Sequence, residues 1–241
     1  MGSEMCIRDS ISSKVTEVAH KIGVSVEGEL GCLGSLETGE GEKEDGHGFE
    51  GKLSHDQLLT DPDQAKDFVK KTQVDALAVA IGTSHGAYKF TREPDGDILA
   101  LNVVKAINKR LPSLHMVMHG SSSVPQELQD IINANGGEMP QTWGTPVDEI
   151  VEGIRHGVRK VNIDTDCRMA ISGQVRKILL EKKTEFDPRK FTLPATAAMQ
   201  EVCESRYESF GTAGNASKLK PLPLAAMAEL YSSGELNQKI V

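Results

Sequence analysis

Shortages narrow the field before any motif is read. Aromatic residues make up 4% of the 241, and Trp143 with three tyrosines forms no stacking platform of the kind that holds single-stranded nucleic acid. The net charge is −8, and Lys and Arg do not cluster, so a surface for duplex phosphates is excluded while a small anionic ligand is not. No apolar stretch approaches the roughly 18 to 20 residues of a membrane span, and no signal-type apolar region follows the first residues. The expected setting is cytoplasmic, with neither membrane nor nucleic-acid partners. Cys6, Cys32, Cys167 and Cys203 are scattered without a CxxC pair, which argues against a disulfide framework or a cysteine zinc site. They are expected to be free thiols.

What is present is enough for one domain: 38% hydrophobic and 26% charged residues over this length can bury a real core. MGSEMCIRDS, residues 1–10, lacks periodicity and resembles a translated sequencing-adapter scar, so it is set aside from fold reasoning. Residues 11–241 then alternate. SSKVTEVAHKIG reads as an amphipathic helix closed by Gly23 and leads into VSVEGELG; PDQAKDFVKKTQ leads into DALAVAIG; ILALNVVKAINKR leads into LHMVMHG. VPQELQDIINANGG and PVDEIVEGIRHGV are further helical patterns ahead of RKVNID. Four near-continuous apolar strands, each preceded by a helix, predict an α/β fold with a parallel sheet, doubly wound or barrel-like. Residues 34–54, rich in glycine and charge, break the alternation and read as a long loop, a lid or disorder.

The polar residues sit at the strand ends. The first strand ends with Glu27 and Glu29, the second with His85-Gly86, the third with His119-Gly120 and Ser121 to Ser123, the fourth with Asn162, Asp164, Thr165 and Asp166. C-terminal ends of parallel strands face one rim, so these residues are expected to converge. Two histidines and a carboxylate are donors suited to zinc. Glycine and serine beside the histidines supply close-approach N–H groups and hydroxyls for a phosphate. Plainer readings stand beside these. A strand-end histidine is often a hydrogen-bonded structural residue, Glu27 and Glu29 could line a solvated edge or pair with arginine, and NIDTD could be a helix N-cap. His20, His47, His55, His115 and His156 lack such company and read as structural or surface residues.

VEGELG, AIGTSHGAYKF, VMHGSSS, KVNIDTD and DPRKF, in this order and spacing, resemble class II, metal-dependent fructose-bisphosphate aldolase, and FGTAGNASKLKP is similar to its Calvin-cycle subtype. The resemblance covers essentially everything after residue 10. It implies a (β/α)8 barrel, a catalytic zinc, and reversible cleavage of fructose 1,6-bisphosphate into dihydroxyacetone phosphate and glyceraldehyde 3-phosphate through a zinc-stabilised enediolate. It implies that His85 and His119 are two of three zinc histidines, and that Glu29 is a carboxylate at an alternative metal position. Glu37 matches the loop glutamate that handles the proton next to the carbonyl, and Asn162 the residue that hydrogen-bonds the enediolate. Gly86, Gly120, Ser121, Ser122 and Thr165 would hold the dihydroxyacetone phosphate group, often with a monovalent cation, K+ or Na+. Asp164 would contact substrate hydroxyls, and Arg189 would reach the other phosphate across the interface of a homo-oligomer, at least a dimer.

One departure is large. The family's barrel needs eight strands and four are legible, corresponding to strands five to eight, followed by a helical tail. No residue here matches the first zinc histidine or the aspartate beside it. An N-terminally truncated, nearly inactive aldolase is therefore expected, with open sheet edges and exposed apolar faces. Tagatose- or sedoheptulose-bisphosphate aldolase, and a noncatalytic phosphate-binding half-barrel, are the alternatives.

Overall fold

A computed structural model describes residues 2–34, 53–54, 57–95 and 98–241, with side chains from residue 5 onward. The expected lid over 34–54 falls almost wholly outside them. Helix α1 (Gly2–Lys21) leads to β1 (Glu27–Leu30), α2 (Pro62–Thr72) to β2 (Ala76–Val79), and α3 (Leu101–Arg110) to β3 (His115–Met118). Helices α4 (Gln126–Ala134) and α5 (Val147–Arg155) precede β4 (Val158–Val161). Three more helices follow: α6 (Thr165–Glu181), α7 (Pro188–Ser209) and α8 (Leu224–Ser232). Among the described residues no helix is long and apolar enough to cross a membrane.

Local chemistry sets several boundaries. Asp61 caps α2 by accepting from the N–H of Gln64 at 2.7 Å, with Pro62 supplying a preset φ in the first turn. Asp187 and Pro188 repeat the device at α7, where Asp187 accepts from the N–H of Arg189 at 3.0 Å. Residues 2–10 continue α1 rather than standing apart. Arg8 lies 5.0 Å from the Phe68 ring centroid, and Asp9 pairs with Arg8 at 2.7 Å and Lys71 at 3.3 Å. Ile7, Ile11, Val15 and Val18 of the same helix, and Ile22 just after it, are exposed.

The four strands form one parallel sheet in chain order, β1-β2-β3-β4. Side chains alternate across a strand, so each strand contributes to two faces. Leu30, Leu77, Val79, Met116, Met118 and Val158 belong to a buried core with Ala65, Phe68 and Val69 of α2, Val103, Val104 and Ile107 of α3, and Ile150 of α5. The other face carries a different set at one level: Glu29 pairs in register with Ala78, Ala78 with Val117, and Val117 with Lys160. Ala78 and Val117 in the middle strands are buried, while Glu29 and Lys160 on the outer strands are exposed.

The β3–β4 register contains an irregularity between Met116 and Val117. Met116 pairs with Val158, yet Val117 pairs with Lys160, so Arg159 is an extra residue on β4. A one-residue slip exchanges the faces of everything downstream. Because of it Lys160, and by continued alternation Asn162, share the face of Val117 and His119.

Candidate active site

Three strand ends meet around His119. Its ring lies 5.9 Å from that of His85, centroid to centroid and tilted by 33°. Its Nδ1 is 3.4 Å from Oε1 of Glu29, and its Nε2 is 3.3 Å from Oε1 of Glu27. The second oxygen of Glu27 accepts from Nζ of Lys160 at 2.8 Å, joining the two outer strands of the sheet across its polar face. Glu27 and Glu29, two residues apart on β1, thus point to one side, and their partners are a histidine and a lysine rather than an arginine.

This grouping shifts protons. The hydrogen bond that His119 donates to Glu29, set against burial and helped by the charge of Glu29 and by Glu27, raises the pKa of His119 above its ordinary value. Reciprocally, the hydrogen bond from His119 lowers the pKa of Glu29 against the effect of burial, with the charges of His119 and His85 adding to it.

Beside the histidines, Gly120 (φ 61°) turns the chain so closely over Ser84 that an added Cβ would lie 2.5 Å from the Ser84 carbonyl oxygen. The loop that follows buries Ser121 and Ser122. The Ser122 hydroxyl oxygen accepts from the backbone N–H of Thr165 at 3.1 Å and of Asp164 at 3.3 Å, closing the N-terminus of α6. Its own O–H remains available to donate. Thr165 is the first residue of α6 and is buried, whereas Asp164 is exposed and paired with Arg168 at 2.6 Å. The capping reading of NIDTD is half realised: α6 begins there, but no side-chain cap comes from Asp164. Asn162 donates its N–H to the Met118 carbonyl at 3.0 Å, which ties it to the strand bearing His119. Gly86 (φ 78°) has open space where a side chain would be.

One of the expected residues among those described is not brought to this cluster. Arg189 sits in the first turn of α7 with its side chain 88% exposed and its guanidinium on Asp187 at 2.7 Å. Glu37 lies outside the described residues, as do His47 and His55. His20 pairs with Asp75 at 2.9 Å and stacks on Tyr231, and His156 pairs with Glu152 at 2.9 Å, in keeping with structural roles. Sequence reasoning passed over Lys160 and Arg206. Lys160 had a signal, since it stands in β4 two residues before Asn162; Arg206, 3.3 Å from Asp166 of α6, had none, because only the packing of α7 on α6 brings it near.

The donor set has the right chemistry for zinc: two imidazoles and a carboxylate, borderline nitrogen with hard oxygen. It is incomplete as a closed site. Among the described residues no group of three or more His, Cys, Asp and Glu side chains gathers closely enough to hold a metal ion.

Residues 9–215 match the family model described as fructose-bisphosphate aldolase class-II. The chain is 68% identical over 229 residues to fructose-bisphosphate aldolase 2 of Cereibacter sphaeroides, covering 95% of this chain and 65% of that protein. It is 65% identical over 226 residues to a fructose-bisphosphate aldolase of Sinorhizobium medicae, covering 94% of this chain and 63% of the relative. The chain therefore spans somewhat less than two thirds of these relatives. Among solved structures, the YdjI aldolase of Escherichia coli K12 superposes with a TM-score of 0.57 at 25% identity, over 88% of this chain and 59% of that one. From the match over most of its length, the chain belongs to the class II fructose-bisphosphate aldolase family.

Proposed function

We propose that the chain carries two zinc histidines and the dihydroxyacetone phosphate side of an aldolase site, and that the whole enzyme reversibly cleaves fructose 1,6-bisphosphate to dihydroxyacetone phosphate and glyceraldehyde 3-phosphate. The observation that carries this reading is the meeting of His85, His119 and Glu29 with the Gly120–Ser122 loop and the start of α6 at one rim of one parallel sheet. His85, His119 and Glu29 would hold zinc, which when bound supplies Lewis-acid polarisation of the substrate ketone.

The remaining work falls to the chain's own groups. Asn162, carried to the His119 face by the β4 irregularity, donates its amide to the oxygen that gains negative charge as the carbon–carbon bond breaks. Glu37 moves the proton at the carbon beside the ketone. Backbone N–H groups at Gly86 and Gly120, with hydroxyls of Ser121, Ser122 and Thr165, bind the phosphate near the N-terminus of α6, where the helix dipole favours negative charge. A K+ or Na+ ion beside that phosphate would offset its charge. Asp164 accepts from substrate hydroxyls, and exposed Arg189 presents a bidentate fork to the second phosphate of a neighbouring copy in a homo-oligomer.

Two measurements test this. The chain alone should turn over fructose 1,6-bisphosphate at a negligible rate, and EDTA-sensitive cleavage should appear when it is mixed with the portion of a relative that it does not match. Zinc affinity of the chain, read by competition with a chromogenic chelator, should fall by at least about tenfold in His85→Ala and in His119→Ala. Cleavage unaffected by EDTA, or zinc affinity indifferent to both substitutions, would overturn the proposal.

A further inference from the structure

Val124 is one of two non-glycine residues with positive φ among those described, at 49°. The other, Gln73 (φ 55°), closes the end of α2. Val124 has no such local reason, and a β-branched side chain is poorly suited to left-handed backbone. Something nearby must hold it. The Val124 N–H donates to Oδ1 of Asp166 at 2.8 Å, and Ser123 donates to Oδ2 of the same carboxylate twice, from its N–H and its hydroxyl, each at 3.1 Å. Asp166 is completely buried. Its charge is met by Arg206 of α7, whose Nη2 lies 3.3 Å from Oδ2 and also donates to the Ser123 hydroxyl.

The loop is held from its other side as well. Ser122 accepts at its carbonyl from the N–H of Thr145 at 3.0 Å, and an added Cβ on Gly144 would come within 2.4 Å of the Ser123 carbonyl carbon. Loop and helix therefore fix each other: Ser122 closes the start of α6, and Asp166 from the first turn of α6 holds Ser123 and Val124.

We propose that Asp166 is a positioning residue for phosphate binding, its carboxylate locking Ser123 and strained Val124 so that Gly120, Ser121 and Ser122 keep their donors aimed at the phosphate. The inference rests on the phosphate reading given above and assigns Asp166 no contact with substrate. A buried aspartate could serve fold stability alone. Strain at Val124 separates the two roles, because glycine adopts the same backbone conformation without a Cβ clash. Relief of strain should then restore loop geometry even where the carboxylate is lost, while doing nothing for the charge of Arg206.

The test is titration of the full chain with inorganic phosphate, followed by amide NMR shifts at Gly120 and Ser122, for the wild type, Asp166→Asn, Val124→Gly and the double variant. Asp166→Asn should weaken phosphate binding by about tenfold or more, and adding Val124→Gly should recover most of the loss. Thermal stability, by contrast, should stay low in the double variant. Unchanged affinity in Asp166→Asn, or no recovery in a folded double variant, would overturn the inference. If Asp166→Asn does not fold, hydrogen exchange of the wild-type chain decides: slow exchange at Ser123 and Val124 supports the lock, and fast exchange overturns it. A wild type whose Gly120 and Ser122 amides ignore phosphate while Val124 stays protected would remove the phosphate reading, and the inference with it.

Discussion

Nδ1 of His119 lies 3.4 Å from Oε1 of Glu29, so an imidazole just past the third strand faces a carboxylate from the first across the polar side of the sheet. Each partner favours the charged form of the other.

This pairing predicts a pH window. The pKa of His119 is raised above 6.5, so its contribution is complete below that value and is lost as pH rises through the higher folded value. The pKa of Glu29 is lowered from 4.5, so its contribution is present above that value and is lost as pH falls through the lower one. The metal-free chain should therefore gain most from the pair between about pH 4.5 and 6.5. Because Glu29 is 48% exposed, the gain should stay below about 1 kcal/mol. Urea midpoints of the wild type and Glu29→Gln across pH 4 to 9 check it, and a difference that grows above pH 8 would contradict the assignment.

Two glycines beside the histidines should respond differently to alanine. Gly86 has positive φ but open space around it, so Gly86→Ala should cost only the left-handed backbone term, about 1–2 kcal/mol. Gly120 shares the backbone term and adds a collision with the Ser84 main chain, which cannot swing aside as a side chain would. Gly120→Ala should be the more damaging by at least about 1 kcal/mol, read from denaturant midpoints. Equal costs would mean that the loop gives way.

Thiol reactivity should follow position. Burial, followed by the neighbouring Cys203 and then by Asp166 and Asp164, pushes the Cys167 thiol up to about 11. Cys6 on α1 is exposed. Iodoacetamide at pH 8 should label Cys6 well before Cys167, and mass spectrometry of peptides after partial labelling reads the order. Early modification of Cys167 would show that it is less enclosed than its place between α6 and α7 implies.

Much of this site was legible in the residues. Period-two alternation put Glu27 and Glu29 on one side of a strand, and His85 and His119 each stood at the end of an apolar run followed by glycine. Those are local signals, and in the structure both histidines and Glu29 do come together. The less local relationships were not legible. Lys160 stood near a residue the sequence singled out, but its pairing could not be read there, because Glu27 is 133 residues away in sequence and meets it only across the sheet.

The sequence by itself determined the four strands, the helices that precede them and that the polar strand ends share a rim, because apolar periodicity and parallel topology demand both. Tertiary structure alone decided which face Asn162 presents, through one extra residue on β4 that no hydrophobic pattern announces. It likewise decided that Asp166 grips the Ser123–Val124 backbone rather than solvent. That outcome depends on α6 and α7 closing over the loop and excluding water, a consequence of packing between segments rather than of any one segment's pattern.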